Sequence, residues 1–142
     1  MGSFKPMIIS VVIILIIVVL DIVFNNYTDL SIEEMSGKLD EIDMMLDEVD
    51  KNGEDVKSIE NISEIDIEKK SKEMVDKWIE KQKFLNCYIE HNEIEKVSDK
   101  IHLIDKQIKI EDYEDARQAI TEVKFSLEHL MEKQKTNIEN FF

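Results

Sequence analysis

Met7-Ile8-Ile9-Ser10-Val11-Val12-Ile13-Ile14-Leu15-Ile16-Ile17-Val18-Val19-Leu20-Asp21-Ile22-Val23-Phe24 is the stretch on which the rest of the chain hangs. Between Met7 and Leu20 the only polar side chain is Ser10, and Asp21 arrives near the far end. At about 1.5 Å per residue a helix over these positions reaches roughly 27 Å, close to the hydrocarbon thickness of a bilayer. Ile and Val would also suit a buried strand, but strands usually run to roughly four to eight residues and this run is far longer. A helix satisfies its own backbone in lipid, so the segment predicts one spanning helix over 7–24.

A cleavable signal peptide needs small residues after its apolar core. Here Leu20 to Asn25 follow, and the first alanine of the chain is Ala116, so the segment reads as an uncleaved signal anchor. Lys5 lies on the N-terminal flank, whereas Asp29, Glu33 and Glu34 precede Lys38 on the other. That basic bias predicts a single-pass protein of the cell membrane, with residues 1–6 cytoplasmic and residues 25–142 an extracytoplasmic domain. Asp21 can snorkel to the interface beside Asn25, Asn26 and Tyr27.

The formal net charge is −14, and removing Lys5 and Asp21 with the anchor leaves all of it on the external part. Such a surface repels nucleic acid and anionic headgroups and favours solvated helix faces or a cationic partner. Three glycines and one proline leave little punctuation for hairpins, so the fold class expected is all-α. The one cysteine, Cys87, cannot make an internal disulfide. Seventeen lysines against one arginine hint at an AT-rich bacterial genome.

The first external helix is expected near 31–51. Ser31 and Glu34 have capping-box spacing, and Ile32, Met35, Leu39, Ile42, Leu46 and Val49 hold one seam in steps of three and four. Asn52-Gly53 ends it, and Glu54 to Ile65 reads as a loop with room for one helical turn. A second helix is expected over 67–108, capped by Asp66. Its first stripe is Met74, Val75, Trp78, Gln82, Leu85 and Ile89, and its second is Ile94, Val97, Ile101, Ile104 and Ile108. The two stripes are rotated by roughly a quarter to a third of a turn, so the segment faces two partners in succession. A continuous helix is preferred, because Glu93 to Lys96 contains no breaker, and a break near His91-Asn92 is the alternative. The last helix, 112–139, is capped by Asp112 and carries Tyr113, Ala116, Ile120, Val123, Leu127, Leu130, Gln134, Asn137 and Phe141 on one face. A short link makes it antiparallel to its predecessor. The expected architecture is an N-terminal transmembrane helix followed by an elongated antiparallel bundle of about three helices. The pattern leaves open whether the seam of the first helix closes within one chain or across two, and whether that helix runs on from the anchor.

Candidate chemistry is sparse. His91, His102 and His129 include no pair at the four-residue spacing of a helical metal site. His91 with Glu93, helped by Glu128 or Glu132, is a weak metal candidate, but in a chain with 32 carboxylates such proximity arises by chance. Trp78 is read as a core anchor, and Cys87 as an inert, partly buried thiol. There is no Ser-His-Asp order, glycine-rich phosphate loop, HExxH or basic-aromatic stripe. No catalytic residue, cofactor, nucleic acid or small-molecule substrate is therefore expected.

The layout resembles the bacterial family catalogued as domain of unknown function number 4363. The resemblance rests on the apolar helix near the start, Trp78, the run His91-Asn92-Glu93, the Asp112-Tyr113-Glu114-Asp115-Ala116 opening of the last helix, and Asn140-Phe141-Phe142. It implies membrane anchoring and helical class and lends no catalytic residues. The expected function is that of a membrane-anchored interaction module, accessory to another envelope protein or self-associating; the alternative is a ligand- or metal-sensing bundle at the cell surface.

Overall fold

The computed structural model describes residues 4–52 and 64–139. They form four helices: α1 (Phe4–Asn52), α2 (Glu64–Leu85), α3 (His91–Lys109) and α4 (Tyr113–Glu139). Helix α1, 49 residues long, joins the apolar run and the first amphipathic seam without a break. No Gly or Pro interrupts residues 25–31, so nothing ends the first helix before the second begins. The capping box expected at Ser31 and Glu34 is therefore not formed. In mid-helix there are no free amides to cap; Ser31 is buried, and Glu34 pairs instead with Lys81 at 2.7 Å.

Cross-helix contacts fix the topology. Lys70 meets Glu41 and Lys81 meets Glu34, so α2 runs antiparallel to α1. Ser71 donates to Asp105 and Trp78 to Ser98, Lys100 meets Glu122 and Lys133 meets Glu93, and Arg117 meets Asp47. Each helix packs antiparallel on two neighbours, α1 on α2 and α4, and α3 on α2 and α4. The result is an up-down-up-down four-helix bundle. Its core holds Ile32, Met35, Leu39, Ile42 and Leu46 of α1, Ile94, Val97, Ile101, Ile104 and Ile108 of α3, and Ala116, Ile120, Val123, Leu127 and Leu130 of α4. Trp78 is the largest fully buried side chain.

The segment 67–108 is not one helix. It breaks after Leu85, and the chain turns through Asn86 to Glu90 before α3 starts at His91. Tyr88 and Ile89 both donate backbone N–H groups to the Leu85 carbonyl, at 3.2 and 2.9 Å. The turn folds α3 back along α2, so each rotated stripe faces the inside of one bundle. At the other end, Glu111 takes a positive φ of 59° and the Asp112 amide reaches the Gln107 carbonyl at 2.9 Å. Asp112 caps α4 through its Oδ1, which accepts from the Asp115 amide at 3.3 Å. Asp66, expected as a cap, lies inside the first turn of α2. Residues 54–63 of the expected loop, Gly53, and the side chains of Asn137 and Phe141 lie outside the described residues.

Candidate functional site at the foot of the bundle

Among the described residues one helix is long and apolar enough to cross a membrane, and none of its apolar window is buried against the others. Tertiary packing starts where that window ends. The Phe24 ring stacks on Tyr88 with centroids 4.6 Å apart and planes inclined by 18°. Phe84 lies 5.9 Å from Phe24 and 4.3 Å from Tyr27, and the Lys81 ammonium sits 5.4 Å from the Tyr27 ring centroid. Such aromatic pairs contribute about 0.5–1.5 kcal/mol each beyond their buried area.

A hydrogen bond locks this cluster. Thr28 Oγ1 lies 2.9 Å from the Phe24 carbonyl and 2.8 Å from Tyr88 Oη. Its single proton satisfies the carbonyl, which only accepts, so the Tyr88 hydroxyl donates to Thr28. Burial pushes the Tyr88 hydroxyl above its usual value, and the Thr28 bond offsets part of that rise. Because Tyr88 sits in the turn, its ring is released from helical phase and reaches α1.

Charge is distributed unevenly. Helices α2 and α3 are neutral, with six acids against six lysines and four against four, whereas residues 25–52 carry nine acids and two lysines. That segment thus holds half of the net charge. Its solvent face also carries two exposed apolar side chains, Leu30 at 64% and Met44 at 63%. Gly37 lies seven residues from each, and a methyl group placed on it would meet nothing within 4 Å. Glu33, Asp40 and Glu48 are exposed along the same helix.

A family model described as domain of unknown function (DUF4363) matches residues 22–141. The chain belongs to this family. The DUF4363 match opens two residues before Phe24, so it takes in the bundle with its aromatic foot and leaves out most of the apolar run. No curated protein and no solved structure matches the chain.

His91, Glu93, Trp78 and Cys87 do not converge on one site of the DUF4363 bundle. His91 is exposed, its Nδ1 3.4 Å from Asn86 Oδ1. Glu93 turns instead toward Lys133 at 3.5 Å and Lys96 at 3.8 Å, and Glu90 shares Lys133 at 3.4 Å. Among the described residues no group of three or more His, Cys, Asp or Glu side chains is arranged to hold a metal ion. Trp78 is a core anchor whose Nε1–H donates to Ser98 Oγ at 2.7 Å, and that hydroxyl donates in turn to the Ile94 carbonyl at 2.9 Å. Cys87 is exposed rather than partly buried, because the turn carries it outside the helical stripe. The aromatic cluster itself was not anticipated. Its signal lay in Phe84 and Tyr88, four residues apart and outside both stripes.

Proposed function

We propose that this chain is a single-pass membrane protein whose bundle, held on the outer side of the cell membrane, acts by binding another protein of the envelope. One observation carries the reading: α1 passes unbroken from an apolar run that none of the other described residues covers into one wall of the bundle. Lipid is the solvent that such a run fits. The wall it builds bears Leu30, Gly37 and Met44 on its free face, set among acids. Parallel self-association along that stripe would bring Glu33 to Glu33 and Asp40 to Asp40, so the charge favours a partner bearing lysine or arginine.

The test is photocrosslinking in cells from the full-length chain, with the crosslinker at Met44 or, for comparison, at Lys72 on the neutral α2. A single membrane-protein adduct from position 44, absent from position 72 and lost on Glu33→Lys with Glu48→Lys, is the expected result. Equal adducts from both positions, or none from either, would refute the proposal.

A further inference from the structure

The foot of the bundle has a second property that follows from its depth. The inference rests on Met7 to Phe24 being a membrane span. Phe24 then marks the boundary between hydrocarbon and headgroups. Tyr88 is stacked on Phe24, and Phe84 lies against both Phe24 and Tyr27. The α2–α3 turn is thereby held at the depth of Phe24, with no stalk between the span and the bundle.

The composition of the turn fits that depth. Residues 81–89, Lys-Gln-Lys-Phe-Leu-Asn-Cys-Tyr-Ile, carry Lys83 and a Lys81 that is paired with Glu34, and no acid between Glu80 and Glu90, in a chain whose net charge is −14. The repulsion from anionic headgroups expected of the whole surface is weaker over the turn itself, where Lys83 is exposed and no acid stands. Phe84 remains 40% exposed despite its ring contacts, and Lys83, Asn86 and Cys87 are exposed around it. Amphipathic aromatic side chains and lysine are the groups that settle at the headgroup level.

We infer that the α2–α3 turn, residues 83–88, is a second membrane-contact element, seated in the lipid headgroup layer beside the end of the span. The bundle would then meet the bilayer at two points about sixty residues apart in sequence, which fixes its orientation on the surface as well as its attachment.

Cys87 is the only cysteine, so the native chain can be labelled at the seat itself. The full-length protein, carrying a nitrobenzoxadiazole label on Cys87, is placed in phosphatidylcholine and phosphatidylglycerol vesicles containing a lipid with a headgroup nitroxide. Two references use Cys87→Ser: one adds Lys106→Cys, near the far end of α3 and roughly 24–28 Å from the turn, and one adds Val12→Cys within the span. The label at 87, seated at the headgroup level, should lose severalfold more of its emission than the label at 106, which loses little. If 87 behaves as 106 does while Val12→Cys is quenched by a nitroxide deep in the acyl chains, the span stands and the seat is refuted. If the Val12→Cys label is not quenched either, the span reading fails first and the seat falls with it. A label at 87 shielded from both lipid nitroxide and aqueous iodide would mean that protein covers the turn, which also refutes the seat.

Discussion

Ser98→Ala is the change whose cost can be worked most directly from the structure. Ser98 Oγ is the acceptor for the Trp78 indole N–H, and both side chains are buried, at 7% and 1% exposure. Without the hydroxyl, a buried donor is left with no partner, which costs about 1–3 kcal/mol. Alanine returns roughly 0.5 kcal/mol of helix propensity, so the net loss is about 0.5–2.5 kcal/mol. For a bundle of this size that is roughly 3–6 °C per kcal/mol in Tm. Trp78→Phe removes the donor together with part of the largest buried side chain, and the void costs about 2–3 kcal/mol. It leaves Ser98 satisfied, because that hydroxyl still donates to the Ile94 carbonyl. In the Trp78→Phe background, Ser98→Ala should therefore be close to neutral, giving a coupling of about 1 kcal/mol or more. Urea unfolding of the full chain in detergent, followed by far-ultraviolet circular dichroism, supplies the four corners of the cycle. An equal cost for Ser98→Ala in both backgrounds would show that the hydrogen bond is not what holds the pair.

Three further outcomes are expected. Gly37→Ala should raise stability by about 0.5–1 kcal/mol in the same assay, because the position is helical and its methyl meets open space; a loss would place something against that face. The hydrogen bond from Lys81 holds the Glu34 carboxyl below the usual carboxylate range, so its contribution is present above the unfolded pKa and is lost as pH falls through the folded one. The Tm gap between the native chain and Glu34→Gln should accordingly close below about pH 4, even though protonation of the unpaired acids relieves repulsion in both; a gap that persists would rule out the pairing. In cells, an impermeant maleimide should label Gly53→Cys in the Cys87→Ser chain before lysis, and labelling only after lysis would reverse the orientation.

Where the sequence pattern was redundant, the fold could be read from it. The seam from Ile32 to Leu46 repeats in steps of three and four, and every one of those side chains is buried. The same holds for Ile94 to Ile108 in α3 and for Ala116 to Leu130 in α4. What local reasoning missed was decided by tertiary contact. No breaker stands between Leu85 and His91, yet the helix stops there while Tyr88 packs on Phe24 and Thr28, sixty residues and more away. The phase change between the two stripes was the only local trace of that turn. Ser31 and Glu34 have the spacing of a cap, but the helix that precedes them makes capping redundant. His91 and Glu93 are two residues apart, which on a helix turns them to opposite sides, one toward Asn86 and one toward Lys133.

The unbroken α1 also makes the molecule a lever. On the reading of Met7 to Phe24 as a span, the helix extends about 42 Å beyond it from Asn25 to Asn52, so a 10° change in the tilt of that span would sweep the far end through roughly 7 Å. Rotation about the helix axis would be carried in the same way, and the face bearing Leu30, Gly37 and Met44 turns with the apolar run. The ring stack of Phe24 on Tyr88 clamps the other three helices to this arm near its fulcrum. Torque applied to the apolar run would thus reach the other three helices through that ring stack.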